Sequence, residues 1–163
     1  MHYLKGTEEQ HALDYLTRAA FIAQSATCER SRCGSIIVAR NEIIGIGFNS
    51  PARDLDGLRR CRVEKSTYHS KVTDKTCCVH AEQRAIMDAL RRNPENIEGS
   101  RLYFMRLDAE WKPTRAGDPY CTICSKMSLD VGIDEFVLWQ EQGVAVFKMD
   151  EYHLLSCEFG KKG

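Results

Sequence analysis

Two short strings far apart in the chain, His80-Ala81-Glu82 and Cys121-Thr122-Ile123-Cys124, constrain its fold more than any other feature. Two cysteines three positions apart at a helix start share one face, and a second segment offers an imidazole and a carboxylate together. One nitrogen and two sulfurs make three zinc ligands, and a site with three protein ligands keeps a fourth position for water, as catalytic zinc sites do. Glu82 is then free to move protons. Each string alone is weak, because C-x-x-C also serves as a redox pair or half of a structural zinc knot and H-x-E arises by chance. A structural site would want a fourth protein ligand. The chain therefore needs a fold in which two helix starts converge. Their unpaired N–H groups and positive dipole ends favour thiolate over thiol there.

The hydrophobic pattern supplies such elements. Leu13, Leu16, Ala20 and Ala23 recur at helical spacing behind Thr7-Glu8-Glu9-Gln10, which reads as a capping box opening a helix that runs to about Ser25. Ser35 to Ala39 and Ile43 to Phe48 read as a hairpin turning at Asn41-Glu42, with Gly45 and Gly47 permitting close approach. Val79 to Arg92 is a helix carrying His80 and Glu82 in its first turn, stopped by Asn93-Pro94. Arg101 to Leu107 is a strand, and Cys121 to Val131 a helix ending at Gly132. Glu135 to Trp139 and Val144 to Phe147 form a second hairpin, since the link between them is too short for a crossover helix, and a helical turn follows at Tyr152 to Ser156. The order α-β-β-α-β-α-β-β predicts a three-layer α-β-α arrangement around one mixed sheet of about five strands. Residues 1–163 read as one domain, with an irregular, cysteine-containing insertion at about 51–76.

Composition narrows the partners. With 23 Lys/Arg against 23 Asp/Glu the formal charge is zero, so no overall field draws the chain to nucleic acid or an anionic membrane. There is no signal-peptide pattern and no apolar run of membrane-spanning length, and the expected location is cytoplasmic. Eight cysteines in a reducing compartment favour metal binding or buried thiols over disulfides. Locally, residues 53–75 hold seven Lys/Arg against four Asp/Glu, with Arg59, Arg60 and Arg62 clustered. That segment reads as a phosphate contact, a solvated loop or a subunit contact.

The two motifs together resemble the zinc-dependent cytidine and deoxycytidylate deaminase superfamily, whose pattern is H-A-E on one helix and P-C-x-x-C on the next. The likeness extends from about Leu13 to Trp139, through Cys33-Gly34-Ser35-Ile36-Ile37-Val38, Ile44 to Pro51 and Ala85-Ile86, and is nearest to deoxycytidylate deaminases. It implies a cytidine deaminase-like fold and one catalytic zinc on His80, Cys121 and Cys124. It also implies hydrolysis of the exocyclic C–N bond of a cytosine base, with Glu82 protonating the ring nitrogen and then the leaving ammonia. Ala81 would give its backbone N–H to the base. Asn49 stands where the family's hairpin approaches substrate, and Arg53 where a basic residue approaches the phosphate. Tyr120, interposed between Pro119 and Cys121, departs from the family pattern. It joins Trp111, and more distantly Tyr68, as an aromatic face for the base. A homo-oligomer is implied as well.

The expected substrate is a small pyrimidine nucleotide or nucleoside similar to dCMP. Single-stranded DNA or RNA, another amino heterocycle, and a non-enzymatic zinc-stabilised binding module are the alternatives. Asn49 could equally be a turn residue, and Arg53 a solvated one. Cys28, Cys33, Cys61, His69, Cys77 and Cys78 could hold a second, structural zinc, but their spacing follows no ligand pattern, and buried thiols are the favoured reading.

Overall fold

The computed structural model describes residues 1–161 of the chain. Its organisation follows from one strand. β2 (Arg32–Ala39) buries six residues in a row, Cys33 to Val38, and a strand without polar alternation needs cover on both faces. Helix α1 (Gly6–Ala23) covers one face, and α2 (Ala81–Arg92), α3 (Thr122–Asp130) and α4 (Met149–Glu158) lie on the other. The remaining strands are β1 (His2–Tyr3), β3 (Glu42–Phe48), β4 (Ser50–Pro51), β5 (Cys78–Val79), β6 (Arg101–Leu107), β7 (Pro113–Thr114), β8 (Glu135–Gln140) and β9 (Gly143–Lys148).

The main sheet runs β1-β9-β8-β6-β2-β3, with β7 added beside β6, while β4 and β5 pair separately. β6 and β8 are parallel, joined by the crossover that contains α3, and the other pairings are antiparallel, so the sheet is mixed. Successive strand residues alternate between two cores. Tyr103, Met105, Val137, Val144 and Val146 pack with Leu16, Ala19 and Ala23 of α1. Leu102, Phe136, Leu138, Ala145 and Phe147 pack with Ala85, Ile86 and Ala89 of α2.

The three-layer arrangement and the terminal hairpin agree with the sequence reading, and several boundaries correct it. Among the described residues the sheet has seven strands, because two-residue strands at β1 and β7 extend it. So short a pairing leaves no periodicity to read. α1 begins at Gly6 with Lys5 as its N-cap and no side-chain cap, so Thr7 lies inside the first turn and the capping box does not form. The first hairpin turns at Arg40-Asn41, both at positive φ (51° and 64°), the pairing of a primed turn that matches strand twist. The C-terminal turn is a ten-residue helix, held by Tyr152 stacked on Phe136 with ring centroids 4.0 Å apart. The 51–76 segment holds β4 and three isolated 3-10 turns.

Glycines set the seat of α2. A Cβ on Gly47 would stand 2.2 Å from the Ala81 carbonyl oxygen, and one on Gly45 would stand 2.4 Å from that of Ala85. Only bare backbone on β3 lets the helix lie this close, and Gly47 is at the end that carries His80 and Glu82.

Candidate active site

The two motifs meet. His80 is the N-cap of α2, just ahead of the first helical turn, and its backbone N–H donates to the Gln83 side-chain oxygen at 3.0 Å. Cys121 is the N-cap of α3, and Cys124 is buried within that helix's first turn. The His80 Nδ1 atom lies 3.2 Å from Cys124 Sγ and 3.4 Å from Cys121 Sγ. Two helix N-termini thus converge as the ligand spacing demanded, and both favour anionic sulfur.

The electrostatics fit a divalent cation. A hydrogen bond from the Cys124 thiol, with another from His80, holds Cys121 down to about 4 against the cost of burial. Cys124 is pushed well up by its bond to Cys121 and by burial. The bond to Cys121 raises His80 to about 9 although burial opposes it. Three ligand atoms sharing protons this closely form a set whose protons one cation can replace. Glu82 is 6% exposed, and burial drives its carboxyl above the usual range. A carboxyl so placed holds its proton more tightly than an exposed one.

A cavity of about 280 Å³ opens from this group. His80, Ala81, Glu82 and Cys121 line it together with Asn49, Phe104 and Tyr120. Asn49 is buried and braced: its Oδ1 accepts the Cys33 N–H at 2.8 Å, and its Nδ2 donates to the Ser31 carbonyl at 2.8 Å. An amide oxygen and an amide N–H each keep further capacity, so the bracing orients the group without exhausting it. Tyr120 is 58% exposed at the mouth, its ring 5.6 Å from that of Phe159.

Arg53 is exposed and is not among the residues lining the cavity. The basic segment divides by contact. Arg59 is tied to Asp56 and the Thr27 carbonyl, and Arg62 to Glu29. Arg60, Lys65 and Lys75 line the cavity together with Arg30. Trp111 sits under the Arg32 guanidinium, 3.8 Å from its ring centre, and like Tyr68 lies outside the cavity wall. Phe104 takes the place sequence reasoning gave to Trp111. Its signal was available, since Tyr103, Met105 and Leu107 form the α1-facing core and strand alternation sends Phe104 to the other face.

A cysteine-histidine trio at two helix starts sets three side chains able to hold a metal ion beside a buried carboxyl inside a three-layer α/β/α fold. Residues 9–140 match the family model described as the cytidine and deoxycytidylate deaminase zinc-binding region, and the chain belongs to that family as an enzyme of the cytidine/deoxycytidylate deaminase type.

Two curated relatives and one solved structure bear on it. A deoxycytidylate deaminase of Mycobacterium phage D29 is 28% identical over 133 residues, covering 78% of this chain and 92% of the phage protein. A deoxycytidylate deaminase of Schizosaccharomyces pombe is 29% identical over 87 residues, but the match covers 50% of this chain and only 26% of that enzyme's length. The crystal structure of dCMP deaminase from the cyanophage S-TIM5 in complex with dCMP and dUMP has the same fold, with a TM-score of 0.54, 23% identity and 82% of each chain covered. Among the described residues, no helix is long and apolar enough to cross a membrane.

Proposed function

We propose that this enzyme hydrolyses the amino group from the cytosine base of a free nucleotide, dCMP or one very similar, at a catalytic zinc ion held by His80, Cys121 and Cys124. The observation that carries the reading is the composition of one cavity. Its lining holds His80, Cys121 and Glu82 and also Arg30, Arg60, Lys65 and Lys75, four cations with a single carboxylate. A base that carries an anionic group fits that balance of charge. The names of the phage relatives point the same way.

Zinc bound there lowers the pKa of water toward neutrality, which is the chemistry the ion supplies. The residues supply the rest. Glu82, buried against the ligands, passes a proton to the ring nitrogen beside the carbon that bears the amino group, and a second to the departing ammonia. Water enters, ammonia leaves, and the base becomes its keto form. Ala81, at the N-terminal end of α2, offers its backbone N–H to the base. Asn49, fixed by Cys33 and Ser31, supports the sugar end, and Tyr120 covers the base at the mouth. Arg53 is left for the outer rim, beyond the cavity. The reading treats the chain as one deaminase-like domain working in the cytoplasm as a homo-oligomer.

The test is ammonia release from a panel of cytosine, cytidine, dCMP, dCTP, purine nucleotides and single-stranded oligonucleotides, with Glu82→Gln as the blank. Turnover of the mononucleotide alone, lost in Glu82→Gln with metal retained, is the expected outcome. Preference for oligonucleotides that fades with added salt would replace the substrate. Unchanged turnover in Glu82→Gln would remove the mechanism.

A further inference from the structure

Asn49 is followed closely by backbone that side chains resist. Arg53 and Asp54 both have positive φ, 54° and 58°, and neither is glycine. Two consecutive left-handed residues with side chains cost energy that their neighbours have to offset, and such turns persist where surrounding contacts over-determine them. The contacts here come from one side chain of the catalytic helix. Arg84 stands two residues past Glu82 on α2, and its guanidinium reaches the Asp54 carboxylate at 3.2 Å and the Pro51 carbonyl at 2.9 Å. It also lies 5.4 Å from the centre of the Phe48 ring. One guanidinium thus touches the residue before Asn49 and two residues after it.

The carboxylate is shared. Ser50, wholly buried, donates its hydroxyl to the same Asp54 oxygen that Arg84 engages. Ser50 and Pro51 form β4, which pairs with Val79 and Cys78 of β5, directly ahead of His80. The chain closes a ring: from Asn49 along β4 to β5, through His80 into α2, and back from Arg84 to Asp54.

An exposed ion pair would hold little in such a ring, because water competes for both partners. Arg84 is mostly covered. Its side chain is 18% exposed, and its Nε–H is buried without an acceptor. Leaving that donor unpaired has a cost, and the two remaining arms of the fork meet a carboxylate and a carbonyl that a single ammonium could not span in the same way. What these arms fix is the approach to Asn49. The Asn49 side chain is braced from β2 and its preceding loop by Cys33 and Ser31, but its backbone runs through Ser50 into the left-handed turn.

We propose that Arg84 is a positioning residue: paired with Asp54, it locks the left-handed turn after Asn49 to the helix that carries Glu82, so that the sugar-end contact and the proton carrier keep one spacing. The kinetic consequence of this clamp rests on the deaminase reading, and its structural consequence on the geometry alone.

Arg84→Gln, Asp54→Asn and the double change test the clamp in the full-length protein. Each single change is expected to raise KM for the mononucleotide about 10-fold with kcat within about 2-fold, and the double change to do no more than Arg84→Gln, because the same ion pair is lost in both. General loss of folded protein would instead lower kcat and leave KM alone. The Cys33 amide, whose acceptor is Asn49 Oδ1, should exchange about 10-fold faster in each variant, read by hydrogen exchange without substrate. Wild-type KM in both single variants, an additive rise of about 100-fold in the double, or unchanged exchange at Cys33 would overturn the clamp. If Arg84→Gln does not fold, Asp54→Asn, at a carboxylate more than half exposed, decides alone. A wild-type protein that deaminates no cytosine nucleotide removes the deaminase reading instead, and the exchange measurement still decides the clamp.

Discussion

Gly47→Ala isolates the contact that seats the catalytic helix. The substituted Cβ would lie 2.2 Å from the Ala81 carbonyl oxygen, 2.4 Å from the Ala85 nitrogen and 2.8 Å from Arg84 Cβ. Two of these neighbours are helix backbone, which has no rotamer in which to escape. Real Cβ contacts essentially never fall below 3.0 Å, so α2 has to retreat from β3 by about 0.8 Å or more at its N-terminal end. The overpacking costs about 1 to 3 kcal/mol of stability. The displacement also moves His80 and Glu82 away from Cys121 and Cys124, and about 1 Å of misplacement at reacting groups costs about 100-fold in rate.

Urea unfolding followed by fluorescence gives the first quantity, and ammonia release under saturating substrate gives the second. Gly45→Ala meets the Ala85 oxygen at 2.4 Å and the Ala89 Cβ at 2.7 Å, further along the helix, so it should lose similar stability but less activity. Gly57→Ala, with nothing within 4 Å, is the control and should stay within about 0.5 kcal/mol of wild type. A Gly47→Ala protein as stable and as active as Gly57→Ala would refute the claim that β3 positions the site through bare backbone.

Three further outcomes are expected. Arg60→Ala and Lys75→Ala should each raise KM for a mononucleotide about 10-fold, about 1.4 kcal/mol, while leaving KM for the nucleoside unchanged; steady-state kinetics on both substrates check it. Glu135 is driven up by burial, but its bonds to Arg101 (2.7 Å) and Lys148 outweigh that and hold its pKa below the ordinary value. Its stabilisation is therefore complete above the unfolded-state pKa and lost as pH falls through the depressed one. Glu135→Gln should cost about 1 kcal/mol at neutral pH and nothing in strong acid, measured by denaturant unfolding across that range. Tyr120→Ala removes a mostly exposed ring, so the unfolding midpoint should hold while kcat/KM for the base falls about 10-fold, read from initial rates.

What sequence alone determined is the family and the layering. The meeting of His80 with Cys121 and Cys124 was legible because a metal-ligand pattern restricts residue type, spacing and helix position together, so few other arrangements satisfy it. The layers were legible because buried strands and amphipathic helices write their periods into the chain. The antiparallel final hairpin followed from a link too short to hold a crossover.

Tertiary structure alone decided which side chains share the cavity. Arg59, Arg60 and Arg62 are equivalent on paper, yet Asp56 and Glu29 draw the first and third aside and leave Arg60 facing inward with Lys65 and Lys75. Phe104 reaches the cavity and Trp111 does not, because strand register and a positive φ of 65° at Trp111 set their directions. Cys28, Cys61 and Cys78 show no pattern as a string and converge only when α1, the long loop and β5 are folded together. Contacts between distant segments depend on how helices seat on the sheet, and that seating is settled by close approaches such as Ala81 on Gly47.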